Sequence, residues 1–162
     1  MYIMRVILLC CGLVLAGLPS HAGQGFDAPE GWRVVGTEKS YGDLVEDLKA
    51  AISAEDMGIV TQASASVGAE RQGIAIPGNT VIGVYRNDFA RRMLAASVPA
   101  GIEAPIRFYV TENADKTATL SWKPPSFVFE PYIDSGGDEL IGLAQELDVI
   151  FQRIADRATK NE

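Results

Sequence analysis

Arg107 and Tyr109 stand two residues apart in Pro105 to Glu112 (PIRFYVTE), a segment that alternates apolar and polar side chains. Alternation with period two puts both on the same face of a strand, and a guanidinium beside a phenol can hold a small anionic or polar ligand. Thr119 and Ser121 become their cross-strand neighbours if the turn Asn113 to Lys116 sets the register. The same residues also fit a solvated or dimer-forming face of an antiparallel sheet, and such faces are common. Glu103, Glu112 and Glu130 lie beside strand ends, where a carboxylate pair could move protons or hold Ca²⁺. Their spacing matches no calcium loop, and solvated loop charges explain them more simply. A third group, Pro124 to Tyr132 (PPSFVFEPY), mixes aromatic residues with three prolines. It reads either as an exposed edge offering Phe127, Phe129 and Tyr132 to a partner, or as a cap over the core.

The N-terminus limits the available chemistry. Arg5 precedes Val6 to Leu18, an uncharged apolar run shorter than the roughly 20 residues of a membrane-spanning helix. Pro19 and then Ser20-His21-Ala22 follow, so residues 1–22 read as a signal peptide cleaved between Ala22 and Gly23. Export to the periplasm or the medium is expected, with no membrane attachment after cleavage. Cys10, Cys11 and His21 all fall within that leader, so the mature chain contains neither residue type. Ser-His-Asp and Cys-His nucleophile systems then lack their base, and zinc or copper sites built on thiolate or imidazole lack their ligands. No disulfide can brace the fold. No cofactor, metal or catalytic residue is assigned. The chain carries 14 basic and 21 acidic side chains for a net charge of −7, which gives no footprint for nucleic acid.

The elements that would position these residues can be read in order. Residues 23–31 (GQGFDAPEG) form a flexible leader and residues 32–160 a single domain. Trp32 to Glu38 is a first strand. Ser40 and Asp43 signal a helix start, with Tyr41, Leu44, Val45, Leu48 and Ile52 on one face and Gly58 as the stop. Ile59 to Val67 reads as a strand, Gly73 to Asn79 as a turn-rich connection, and Thr80 to Tyr85 as a strand buried on both faces. Asn87 or Asp88 caps a helix through Phe89, Met93 and Leu94. Pro105 to Glu112 and Thr117 to Lys123 make a hairpin with Ile106, Phe108, Val110, Ala118, Leu120 and Trp122 on its apolar face. Asp138 opens a long helix with a stripe of Leu140, Leu143, Leu147, Ile150, Phe151 and Ile154.

The stretches TVIGVYRNDFARRML, ASVPAGIEAPIRFYVTEN and TATLSWKPPSFVFEPY, in that order and spacing, resemble the family known as domain of unknown function 302. The helix from Ser40 and the Gly73 to Pro77 turn fit the same pattern, so the resemblance covers roughly residues 33–158. It implies an α+β fold: a mainly antiparallel sheet of four to five strands packed against two to three helices as a two-layer sandwich. It also implies a tendency to form homodimers, and no established activity. One departure stands out, because many relatives carry an Asp-His pair before the turn, and the corresponding positions here are Ser64 and Ala65. The reading that results is an exported, non-enzymatic binding or interaction module for a small molecule or a protein. The alternative is a hydrolase- or lyase-like enzyme that uses carboxylates and Tyr109 on a small polar or anionic substrate.

Overall fold

A computed structural model describes residues 26–160. The expected signal peptide, residues 1–22, lies outside the described residues, and so do Cys10, Cys11 and His21. Five strands form one antiparallel sheet in the order β1-β5-β4-β3-β2. They are β1 (Arg33–Ser40), β2 (Gly58–Ala63), β3 (Asn79–Tyr85), β4 (Ile106–Glu112) and β5 (Thr117–Trp122). The helices are α1 (Tyr41–Ala54), α2 (Ala65–Glu70), α3 (Asn87–Ala96), α4 (Pro125–Phe129) and α5 (Ile133–Thr159), with short 3₁₀ turns at Pro99–Glu103 and Glu130–Tyr132. The α+β class and the helix-covered antiparallel sheet agree with the sequence reading.

The hairpin carries the clearest link from pattern to packing. Phe108 faces Trp122 and Val110 faces Leu120 across β4 and β5. All four are buried, as are Ile82 and Val84 on β3. Against this face lie Leu44, Leu48 and Ile52 from α1 and the whole stripe from Leu140 to Ile154 on α5. Phe108 is at the centre, stacked on Phe151 with ring centroids 4.7 Å apart and tilted against Trp122 at 5.8 Å. At the turn, Thr119 Oγ1 donates to Asn113 Oδ1 and Asn113 Nδ2 donates to Thr117 Oγ1, so the buried Thr119 hydroxyl is satisfied.

The caps divide between expectation and correction. Ser40 Oγ accepts from the Asp43 N–H and opens α1. Neither Asn87 nor Asp88 caps α3: Arg86 holds the cap position, and its guanidinium takes the Asp88 carboxylate in two hydrogen bonds of 2.8 and 3.2 Å. The expected strand Ile59 to Val67 also ends early. After Ala63, Ser64 Oγ accepts from the Val67 N–H and starts α2, so a local side-chain cap wins over the β propensity of the segment. The long C-terminal helix has a first turn from Ile133, but Gly137 (φ 56°) interrupts it, so the continuous run does begin at Asp138. A left-handed φ suits glycine there because it has no Cβ to clash.

Glu55 ties α1 to α5. Arg153 Nε donates to one carboxylate oxygen at 2.7 Å and Arg157 Nε to the other at 3.1 Å. The hydrogen bond from Arg153 is the main cause holding this carboxyl below its ordinary 4.5; burial opposes it, and the attraction of both guanidinium groups adds to it. A carboxyl whose folded pKa is depressed contributes stability above its unfolded pKa and loses it as pH falls through the folded value. E55Q should therefore lower the urea midpoint at pH 7, and its deficit from the parent should shrink below about pH 4. A deficit independent of pH would show that these ion pairs do not hold the two helices together.

Candidate functional site

The helices cover one face of the sheet, so residues of the opposite pleat point away from them. Tyr109 pairs with Ser121 and Thr111 with Thr119 across β4 and β5, and Val81 pairs with Tyr109 across β3 and β4. Thr119 and Ser121 are the expected cross-strand neighbours, and both are fully buried although they lie on the polar pleat. Aromatic residues stand over this face: Phe26 meets Trp32 edge-on at 6.2 Å and Tyr109 at 6.5 Å.

Two adjoining hollows open beside these rings. One is a cleft of about 370 Å³ lined by Trp32, Val81, Glu103, Ile106, Arg107, Tyr109, Ser121, Trp122, Lys123 and Val128. The other, of about 470 Å³, runs along Phe26, Trp32, Tyr109, Thr111, Glu112, Asn113 and Ala114. Trp32 and Tyr109 belong to both. Arg107 and Tyr109 thus line one cleft, with Lys123 Nζ held 5.4 Å from the centroid of the Trp32 ring. Among the described residues, Arg107 and Lys123 enter no ion pair, and neither do Arg33, Arg71, Arg91 and Lys160, whereas Lys39, Lys49, Arg86, Arg92, Lys116, Arg153 and Arg157 do. A hollow of about 510 Å³ between α1 and the end of α5 also gathers cations. There Lys39 is occupied by Asp47 and the Ala158 carbonyl and Arg157 by Glu55, while Lys160, also on its wall, enters no ion pair among the described residues.

The family model for domain of unknown function DUF302 matches residues 33–158. The chain belongs to that family. A crystal structure of an uncharacterized conserved DUF302 protein from Bacillus stearothermophilus is 17% identical, with a TM-score of 0.70, covering 80% of this chain and 99% of that one. At that identity the likeness speaks for the fold alone. No curated protein matches the sequence. At the two positions singled out before the turn, Ser64 caps α2 and the Ala65 N–H donates to Asn79 Oδ1 at 2.9 Å.

The carboxylates do not gather into a pair. Glu103 lines the cleft, and Tyr132 Oη donates to its Oε1 at 2.7 Å; that bond is the main cause raising the Tyr132 phenol above its ordinary value. Glu112 sits at the far end of β4, about 20 Å along the strand. It accepts from the Gly78 N–H, the main cause that lowers its pKa, and from Lys116. Glu130 is exposed.

The Pro124 to Tyr132 segment folds as α4 and a 3₁₀ turn rather than an extended edge. Phe129 turns inward at 2% exposure and joins the core, which removes it from the expected interaction surface. Phe127 remains 38% exposed, packed beside Gly31. Tyr132 is half-buried and engaged by Glu103. Sequence reading missed Trp32 and Lys123. Lys123 was within reach of register arithmetic, since continuing the register of Phe108 and Trp122 one step would set it opposite Arg107. Nothing local to Trp32 signals the pairing of β1 with β5 that brings it over the sheet.

Proposed function

We propose that this DUF302 chain is exported, cleaved after Ala22, and acts as a non-enzymatic binding module whose ligand site is the cleft between Trp32 and Arg107. The observation that carries this reading is the convergence of Arg107, Lys123 and Tyr109 on one mostly apolar hollow beside an indole. An enzyme working in the same cleft would need a carboxylate free to move a proton. Glu103 is engaged by Tyr132, and Glu112, three residues or about 10 Å along β4 from Tyr109, lines the adjoining hollow and is held by the Gly78 N–H and Lys116.

The reading includes a homodimer. Its support is β2, an edge strand whose six residues are all exposed and include neither charge nor proline to discourage pairing with another chain. Intact mass of the exported protein reads the cleavage, and light scattering on the same sample reads the oligomer. Binding is tested by thermal shift against small metabolites and hard cations. At a ligand concentration of about 100 Kd the native state gains roughly 2.7 kcal/mol, enough to raise the unfolding temperature by several degrees. R107A should abolish the rise. An identical response from R107A and the parent would place the site elsewhere.

A further inference from the structure

We infer that the cleft takes a compact aromatic carboxylate, with its charged end between Arg107 and Lys123 and its ring among Trp32, Val81 and Val128. This rests on the cleft being a binding site, as proposed above. The register of the hairpin supplies the first reason. Phe108 and Trp122 are the last paired residues; continuing that register one step past the end of β5 would set Lys123 opposite Arg107, and both line the same cleft. Like charges directly opposite on a sheet repel. No carboxylate among the described residues forms an ion pair with either, a state they share with Arg33, Arg71, Arg91 and Lys160 in a chain of net charge −7, but of these six only Arg107 and Lys123 line this cleft. Glu103, the acid that lines the cleft, accepts the Tyr132 hydroxyl instead. An anion between the two cations would relieve their repulsion.

The remaining walls supply the second reason. Trp32, Val81, Ile106 and Val128 give the cleft an apolar lining, which a bare inorganic anion would leave without a partner. A volume of about 370 Å³ suits a single-ring molecule. Tyr109 and Trp32 both present rings to the cleft, and Ser121, which pairs with Tyr109 on β4 and with Val34 on β1, is short and fully buried. Aromatic rings meet edge-to-face or offset, and a guanidinium also packs on a ring plane, so a flat body fits these walls.

The test is a ¹H–¹⁵N NMR titration of the purified protein with benzoate, benzamide, cyclohexanecarboxylate and inorganic phosphate. The Trp32 indole N–H and the Tyr109 and Ser121 amides are the reporters. Benzoate should move all three, and each of the other compounds should bind about tenfold more weakly or worse, as expected for losing a charged hydrogen bond or the ring contact. R107Q and K123Q should each weaken benzoate by about tenfold, with the resonances of the helices unchanged. Equal binding of benzoate and benzamide, or of benzoate and phosphate, would overturn the aromatic carboxylate and leave the cleft as a site for another class. So would cyclohexanecarboxylate matching benzoate, or either variant binding benzoate as tightly as the parent. Reporters that move with none of the four would remove this proposal. The thermal-shift comparison of R107A with the parent would still decide separately whether the cleft binds anything.

Discussion

Replacing Phe108 by Ala should cost about 3–5 kcal/mol of folding stability, read as a fall in the urea midpoint by circular dichroism. Phe108 is fully buried on the central strand of the sheet and touches an aromatic residue on each side, Phe151 at 4.7 Å and Trp122 at 5.8 Å. Truncation removes the transfer free energy of the ring, leaves a cavity the helix α5 cannot close, and forfeits aromatic contacts worth about 0.5–1.5 kcal/mol each. Domains of this size are stable by about 5–15 kcal/mol, so the variant should sit near the edge of folding. F108L keeps more of the volume but loses both aromatic contacts, so it should cost less than F108A, about 1–3 kcal/mol. An F108A penalty below about 1 kcal/mol would mean that the sheet and α5 are not joined through this ring.

The second large effect is expected at Gly83, in the middle of β3. A Cβ built there would meet Thr61 Oγ1 on the neighbouring strand and stand 2.8 Å from Cγ of Pro105. The threonine hydroxyl can rotate away, but the proline ring cannot. G83V should therefore cost about 1–3 kcal/mol through overpacking, by the same urea measurement. Adding T61A should return part of that loss, because the two side chains compete for one space and coupled neighbours are not additive. A T61A change that returns nothing would place the strain on Pro105 alone. Pro105 comes two residues before Arg107, so ligand binding in the cleft offers a second readout of the same displacement.

Long periodic segments were the legible part of this fold. The β4–β5 hairpin could be read because six apolar residues alternate on both arms of a short polar turn, and α5 because its stripe holds over several turns. Short elements were not. The α2 helix hangs on one serine hydroxyl, and α4 begins on the second of two prolines and runs only five residues, too few to show a period. The site divides along the same line. Arg107 and Tyr109 share a strand face, so their common direction follows from period two alone. Trp32, Glu103 and Val128 reach the cleft through tertiary packing that no window of sequence contains. Phe129 was ambiguous for a related reason: the same aromatic run can cap a core or face a partner, and only the turn of α4 decides between them.

The strand order sets how the chain must assemble. Among the described residues β1 is the first strand in the chain and its one neighbour is β5, whose residue Trp122 pairs with Arg33 at the opposite end of most of the domain. Every other pairing joins strands that are consecutive in sequence, namely β2 with β3, β3 with β4 and β4 with β5. The loop entropy of that long closure must be met before its contacts contribute anything. The four-stranded meander from β2 to β5 can form from more local steps, and β1 should join after it. Trp32 directly precedes β1 and is a wall of the cleft, so on that order the cleft would be walled only once β1 has docked.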